Sequence, residues 1–262
     1  MMAYKWLLFD LDGTLLDFHK AEYLCMEATL KSFGFRADDE VLHAYRLINE
    51  SYWKMLERGE ISQEALALAR HRSLFERFGF CGDVEAFQQH YEGMLSESSY
   101  LFDGARELLD QLRDRDGVHL AIVTNGFARI QERRIALAGL DTYFEWVFIS
   151  EQVGYRKPQV EFFDHVFREI CGDNREDGAG AGFTSNWKND KPQRVPSESH
   201  SDLAICKYHS LIIGDSLTSD IKGGADFGIA TCWFNPDGLA NTTGVRVDHE
   251  IRTLDDIHQL VG

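Results

Sequence analysis

The sequence has few basic residues and no long apolar run. Lys and Arg number 27 against 43 Asp and Glu, which gives the 262-residue chain a formal charge of −16. Proteins that wrap DNA or RNA neutralise many phosphates with basic side chains, so this balance argues against a nucleic acid polymer as the partner. A single small phosphorylated ligand needs only a local positive site. No 18 consecutive residues are apolar, which argues against a membrane-spanning helix.

The chain also lacks the cysteine patterns of disulfide scaffolds and zinc sites. Its five cysteines are odd in number and widely scattered, and none of them forms a CxxC pair. We interpret them as reduced core thiols of a protein in a reducing compartment. The stretch before Asp10, MMAYKWLLF, is too short for the apolar region of a secretory signal. These features predict a cytoplasmic protein without a membrane partner.

Five short apolar runs, each bounded by turn residues, predict strands that are buried on both faces. They lie at 4–10, 118–124, 145–150, 208–215 and 229–234. Helical patterns separate them, at 103–115, 127–138, 158–170 and 218–227. Alternation of strand and helix predicts an α/β fold whose core is a doubly wound parallel sheet of the Rossmann-like kind.

Two segments break this alternation. Residues 18–98 carry consecutive helical patterns and no strand pattern, which predicts an all-helical domain inserted after the first strand. We therefore expect a core domain from residues 1–17 and 99–262. Residues 172–202 are rich in Gly, Ser and charge, and they predict a long mobile excursion within the core.

The most specific motif is FDLDGTL, Phe9–Leu15, which places two carboxylates directly after the first apolar run. The alternation of a strand would aim Asp10 and Asp12 to the same side, where both compete for one small volume. A strand that runs into a turn would also favour Asp and Gly at these positions. For the Asp-x-Asp pair alone, both interpretations remain open.

Other polar residues follow the later strands. Thr124 and Asn125 follow the second apolar run, Asp215 follows the fourth, and Asp220 lies about one helical turn further on. In an open parallel sheet, ligands bind beyond the carboxyl ends of the strands, near the point where the strand order reverses. We therefore expect the aspartates of these motifs to share one cavity.

Four carboxylates in one cavity would repel one another, and some would take up protons unless a cation neutralised them. Oxygen ligands with room for waters and a substrate phosphate are typical of magnesium. The sequence therefore predicts a Mg²⁺ site formed by Asp10, Asp12, Asp215 and Asp220, and it contains no pattern typical of zinc.

A site with only negative charges cannot bind a phosphate, so a positive group has to lie nearby. GYRKP at 154–158 supplies one directly before a predicted helix. We prefer Lys157 to Arg156 because a compact ammonium can reach a phosphoryl oxygen and the nucleophile together. Thr124 and Asn125 also precede a helix, where free amides favour an anion. Each of these motifs alone also has a purely structural interpretation. Lys157 would then be a solvated lysine of a loop, and Thr124 and Asn125 would be helix-capping residues.

In this order, the motifs resemble those of the haloacid dehalogenase superfamily of phosphotransferases. The matching residues are DLDGT at 10–14, TN at 124–125, Lys157 and GDSLTSD at 214–220. The helical block 18–98 resembles the type 1 cap of that superfamily. Three stretches are similar to its pyrimidine 5'-nucleotidases: VTNGFARIQ at 123–131, FISEQVGYRKP at 148–158 and ATCWFNP at 230–236.

The resemblance implies a role for each aspartate. Asp10 would attack the phosphorus and become an aspartyl phosphate, while Asp12 would protonate the leaving oxygen and later activate water. Magnesium would be bound by the Asp10 carboxylate, the Asp12 backbone carbonyl and Asp215, with Asp220 as a further or water-mediated ligand.

The resemblance also implies the phosphate contacts and the substrate. Thr124, Asn125 and Lys157 would hold the phosphate oxygens on which charge is spread in the transition state. The implied activity is a Mg²⁺-dependent 5'-nucleotidase for pyrimidine nucleoside monophosphates such as UMP, dUMP and dTMP. The expected partner is thus a small phosphorylated metabolite.

Three alternatives remain at this point. A phosphatase of small sugar phosphates or phosphoglycolate would use the same residues. A catalytically idle interaction protein would keep the fold, although such a chain would be expected to lose at least one motif residue. A phosphonate-cleaving enzyme would need an amine nucleophile from the helical block, where Lys20, Lys31 and Lys54 occur. Asp12 argues against the carbon–halogen branch, whose motif resembles DxYGT.

Overall fold

The computed structural model describes residues 4–171 and 200–261, which belong to two compact units. Of the described residues, the sheet unit comprises 4–16, Leu101–Ala128 and those from Gly139 onwards. The helical unit comprises Asp17–Tyr100 and Arg129–Ala138. It therefore holds the predicted insertion, 18–98, together with a second segment that the sequence assigned to the core.

The strands of the sheet unit are all parallel. They are β1 Trp6–Phe9, β2 His119–Thr124, β3 Trp146–Ile149, β4 Ser210–Gly214, β5 Ala230–Phe234 and β6 His249–Ile251. Their order in the sheet is β3-β2-β1-β4-β5-β6, so β1 lies between β2 and β4. Phe9 at the end of β1 pairs with Ile122 and Ile213. The predicted α/β fold with a parallel sheet is confirmed, and β6 is an additional strand that the sequence analysis missed.

Helices separate the strands of the sheet along the chain, and those of the predicted insertion follow one another without a strand between them. They are α1 Phe18–Ser32, α2 Asp39–Glu57, α3 Gln63–Phe78, α4 Val84–Ser96, α5 Ala105–Arg113, α6 Ala128–Ala138, α7 Ser150–Val153, α8 Val160–Cys171, α9 His200–Tyr208 and α10 Lys222–Phe227. None of those in the described ranges has both the length and the apolar character that crossing a membrane requires.

One face of the sheet packs against an aromatic layer. Leu8, Val123 and Ile212 point into a buried cluster with four phenylalanines of α8 and α10: Phe162, Phe163, Phe167 and Phe227. Burial of each such side chain stabilises the fold by about 1.5–3 kcal/mol. The layer therefore fixes β1, β2 and β4, the three strands that carry the candidate site.

The sequence predictions for two segments differ from the structure. Most of the predicted excursion, 172–199, lies outside the described residues. Its last three residues, 200–202, were predicted to be irregular but belong to α9, which is anchored because Cys206 packs into the aromatic cluster. The predicted helix 218–227 is divided, since a π-helical turn, Leu217–Ile221, precedes α10. Such turns are frequent at functional sites.

Each of the first four helices in the helical unit begins at a capping side chain. Asp17, Asp38, Ser62 and Asp83 accept hydrogen bonds from backbone N–H groups in the first turns of α1 to α4. A cap of this kind stabilises a helix by about 1 kcal/mol. The caps explain why these helices begin where they do.

The interior of the helical unit contains an unusual buried histidine. His71 of α3 is fully buried, its ring stacks on Tyr45 at 5.5 Å, and neither of its nitrogens has a hydrogen-bond partner among the described residues. Burial, assisted by the neighbouring Arg70, lowers the pKa of His71 well below its ordinary value. The folded protein therefore keeps this ring neutral.

This burial predicts a loss of stability in mild acid. Below about pH 6.5 the unfolded chain protonates His71 while the folded chain does not. The free energy of unfolding therefore decreases as the pH is lowered. Relative to His71→Phe, which keeps a buried ring without the titration, the wild-type protein should lose roughly 1–2 kcal/mol between about pH 6.5 and pH 5. Urea unfolding followed by circular dichroism measures this difference.

The comparison isolates His71 because every other titrating group is shared by the two proteins. His43→Phe, at an exposed position of α2, is the matched control and should keep the wild-type dependence on pH. Parallel stability curves for wild type and His71→Phe would show that the His71 pKa is not depressed.

Candidate active site

Polar residues gather at the carboxyl ends of the central strands. Asp10 directly follows β1, Thr124 ends β2, and Asp215 directly follows β4. The Asp10 N–H still donates to the Ile213 carbonyl at 2.8 Å, so its backbone is held by the sheet. In the sheet, β2 and β3 lie on one side of β1, whereas β4 to β6 lie on the other side. The strand order therefore reverses between β1 and β4, and open α/β sheets bind their ligands at such a point.

The centre of this group is a buried ammonium. Lys157 Nζ donates to Asp10 Oδ1 at 2.6 Å, to Asp220 Oδ1 at 2.7 Å and to the Val123 carbonyl at 2.6 Å. The side chain of Lys157 is only 1% exposed. Its three protons are thus each directed at an oxygen, which fixes two carboxylates from distant parts of the chain around one charge.

The charges of the cluster do not balance. Burial raises the pKa of Asp10 to about 7, with further upward contributions from Asp220 and Asp12, although Lys157 opposes the change. Burial and the Asp10 and Asp220 carboxylates also raise the pKa of Asp215 well above its ordinary value. For Lys157, the two neighbouring carboxylates outweigh burial and raise the pKa of the ammonium. The single positive charge of Lys157 therefore does not neutralise the carboxylates of Asp10, Asp215 and Asp220.

The donor set fits a hard divalent cation. Oxygen atoms of Asp10, Asp215 and Asp220 all lie within 4.8 Å of one another, which brings three carboxylates within reach of one ion. Oxygen-only donors of this kind suit Mg²⁺ or Ca²⁺. The side chain of Asp12, predicted as a fourth carboxylate of the site, does not belong to this group of three.

Two glycines make room for these carboxylates. A Cβ at Gly13, where φ is +90°, would lie 2.5 Å from Asp215 Oδ2. A Cβ at Gly214 would collide with the carboxyl group of Asp220. Asp220 is held in this position by the Ser216 N–H, which donates to its Oδ2 at 3.1 Å. Side chains at either glycine would therefore displace a candidate ligand.

Asn125 holds the segment that carries Lys157. Its amide donates to the Lys157 carbonyl at 2.8 Å and accepts from the Lys157 N–H at 3.0 Å. The same amide nitrogen lies 3.3 Å from Ser219 Oγ. The sequence analysis predicted Asn125 as a phosphate contact, whereas these bonds position the Lys157 backbone. Thr124, the other residue of that motif, is fully buried at the end of β2.

Sequence reasoning missed several residues that support the site. Thr14 Oγ1 donates to Asp10 Oδ2 at 3.4 Å, and Trp233 Nε1 donates to the Asp215 carbonyl at 2.9 Å. Ser219 bridges Asn125 and the turn after β4. All three lie inside the sequence motifs named above, so the signal was present. Trp233 and Ser219 bond to residues that are distant in the sequence, and the bond of Thr14 depends on the direction of its side chain. The spacing of residues within a motif does not reveal such contacts.

Comparison with known proteins places this geometry in a family. The model of the haloacid dehalogenase-like hydrolase family matches residues 4–179. The chain is 36% identical over 256 residues to the pyrimidine 5'-nucleotidase PynA of Streptococcus pneumoniae, which covers 98% of this chain and 94% of PynA. It is 29% identical over 259 residues to the pyrimidine 5'-nucleotidase YjjG of Escherichia coli, with 97% and 98% coverage.

A solved structure extends the likeness to three dimensions. The crystal structure of the HAD-hydrolase YfnB from Bacillus subtilis, bound to magnesium, matches with a TM-score of 0.80 and 32% identity, covering 98% of this chain and 99% of YfnB. The family match and these full-length relatives agree with the site described above. The chain therefore belongs to the haloacid dehalogenase-like hydrolase family.

Proposed function

We propose that this hydrolase is a Mg²⁺-dependent phosphomonoesterase that cleaves pyrimidine nucleoside 5'-monophosphates. The observation that carries the proposal is the buried Lys157 ammonium, which bonds to Asp10 and Asp220 beside a third carboxylate, Asp215. This arrangement combines a held nucleophile, a positive group for a phosphate and oxygen ligands for a cation. The choice of substrate is supported by the relatives named pyrimidine 5'-nucleotidases, at 36% and 29% identity.

In the first step, an Asp10 carboxylate oxygen attacks the phosphorus of the substrate. A bond forms between that oxygen and phosphorus, while the bond from phosphorus to the 5'-oxygen of the sugar breaks. Asp12 gives its proton to the departing oxygen, so that a neutral nucleoside leaves. Lys157 and Thr14 keep the Asp10 carboxylate in place by hydrogen bonds to its two oxygens.

In the second step, water hydrolyses the aspartyl phosphate. Asp12, now a carboxylate, takes a proton from the water as its oxygen attacks phosphorus. The bond between phosphorus and Asp10 breaks, and inorganic phosphate leaves. Asp10 returns as a carboxylate and Asp12 as an acid, which balances the cycle. Asp10 and Asp12 are two residues apart on one short segment, which suits their action on the same phosphoryl group.

The remaining residues would neutralise and orient the phosphoryl group. Asp10, Asp215 and Asp220, with the Asp12 backbone carbonyl, would hold the metal ion, which supplies positive charge opposite the phosphate oxygens. Thr124 and Lys157 would contact those oxygens. Asn125 acts through Lys157, since its amide bonds to the Lys157 backbone on both sides.

A phosphatase of other small phosphate esters is the second candidate. It is favoured by more distant relatives, such as the ribulose-1,5-bisphosphate 5-phosphatase of Halopiger xanaduensis at 25% identity and the mouse N-acylneuraminate-9-phosphatase at 23%. The residues proposed for phosphoryl transfer would serve such substrates equally well. Substrate turnover therefore has to decide between the two.

Phosphate release tests the substrate and the metal together. We expect the protein with Mg²⁺ to release phosphate from UMP, dUMP or dTMP, and EDTA to abolish the release until Mg²⁺ is restored, because the carboxylates lack a counter-charge without the ion. Turnover of sugar phosphates without any pyrimidine nucleotide would support the second candidate instead. Near-zero rates with every ester, with or without EDTA, would favour an idle interaction protein.

Substitution of the two motif aspartates tests their separate roles. Asp10→Asn should remove turnover, because the amide is a poor nucleophile, whereas Asp12→Asn should lower kcat by about 10² to 10⁴, the usual contribution of a general acid or base. Steady-state kinetics on UMP provide the measurement, and Asn241→Ala in an exposed loop is the control. Wild-type rates for Asp10→Asn would refute the nucleophile assignment.

A further inference from the structure

The stretch ATCWFNP at 230–236 takes no part in the steps proposed for phosphoryl transfer. It contains β5 and the two residues that follow this strand. Three alternate side chains of the stretch carry polar groups although they are at most 4% exposed: Thr231, Trp233 and Asn235. Buried polar groups need hydrogen-bond partners, and the direction in which each of the three finds one separates their roles.

Two of the three residues bind β5 to the edge strand β6. Thr231 Oγ1 donates to Asp248 Oδ2 at 3.2 Å and accepts from the Asp248 N–H at 3.1 Å. Asn235 Nδ2 donates to Glu250 Oε1 at 2.7 Å. Asp248 directly precedes β6, and Glu250 lies in it. These bonds hold β5 firmly from the side that faces away from β4.

Trp233 bonds in the opposite direction, towards β4. It pairs in the sheet with Gly214, the last residue of β4, and its Nε1 donates to the Asp215 carbonyl at 2.9 Å. The indole therefore reaches the residue at which the chain leaves the sheet. That residue is one of the three carboxylates that lie within reach of one ion. A side chain fixed on β5 thus holds the main chain of a candidate metal ligand.

The Asp215 carboxylate itself is held less directly than the other two. The Lys157 ammonium donates to the carboxylates of Asp10 and Asp220. Among the described residues, no other side chain donates to the Asp215 carboxylate, and its own backbone N–H is the donor to it. The direction of this carboxylate therefore follows the direction of the Asp215 main chain, whose carbonyl Trp233 fixes.

We propose that Trp233 is a positioning residue that sets the Mg²⁺ affinity of the candidate site by holding Asp215. The inference rests on the metal ion of the proposed function and is independent of the substrate. An indole N–H is a donor only, so it cannot bind the cation, and its effect passes through Asp215. Groups that orient a metal ligand typically change metal affinity by about 10–100-fold.

Calorimetric titration with Mg²⁺ alone tests this role without turnover. Trp233→Phe removes the N–H and keeps an aromatic ring, so it should bind Mg²⁺ about tenfold more weakly than wild type. Thr231→Val is the matched control, because it also removes a buried hydrogen bond of β5, but on the side of β6. Its affinity for Mg²⁺ should equal that of wild type.

Kinetics give a readout that a merely structural role would not move. With p-nitrophenyl phosphate as substrate, Trp233→Phe should raise the Mg²⁺ concentration for half-maximal rate about tenfold. Its kcat at saturating Mg²⁺ should stay within about twofold of wild type, because the bound ion itself then holds the Asp215 carboxylate. A general loss of structure would lower kcat at every Mg²⁺ concentration.

The wild-type protein provides a test that does not require the variant to fold. In its assigned NMR spectrum, Mg²⁺ should shift the indole N–H resonance of Trp233. Those of Trp6 and Trp146 should stay in place, because these residues begin β1 and β3 and so lie at the opposite edge of the parallel sheet.

The outcomes separate this inference from the proposed function. Equal Mg²⁺ affinities of wild type and Trp233→Phe, or equal losses in Trp233→Phe and Thr231→Val, would overturn the role of Trp233 while the metal-dependent hydrolase stands. A Trp233 indole resonance that saturating Mg²⁺ leaves unshifted would do the same. Absence of Mg²⁺ binding to the wild-type protein would refute both the metal ion of the proposed function and the inference.

Discussion

The site depends on one ammonium group that is almost completely buried. Lys157 Nζ bonds to Asp10, Asp220 and the Val123 carbonyl, and so joins β1, β2 and the turn after β4. Without this charge the carboxylates would repel one another in a water-poor environment. With it they still carry excess negative charge, which a divalent cation can balance. The proposed metal-dependent chemistry follows from this excess of negative charge.

The sequence was sufficient for the architecture because the relevant signals are local. Buried strands produce continuous apolar runs, and the intervening helices have their own periodicity. It failed where local signals are weak: β6 has only three residues, and His200 begins α9 directly after a stretch of loop-like composition. The aspartates could be placed at one edge because parallel strands must end there.

Contacts between side chains distant in sequence could not be predicted. Asn125 and Lys157 are separated by 32 positions, so nothing in either motif indicates that the amide holds the Lys157 backbone. Trp233 and Asp215 are separated by 18 positions, and nothing in either motif indicates which carbonyl the indole reaches. Both contacts become visible only when packing brings the helices and strands together.

The central claim is that Asp10 carries the phosphoryl group during turnover. Rapid acid quench of the protein with UMP labelled with ³²P in its phosphate, followed by peptide mapping, measures this directly. The account predicts transient label on the peptide that contains Asp10, formed and lost at rates no slower than kcat. Phosphate release without any labelled protein, or label on a different peptide, would contradict it.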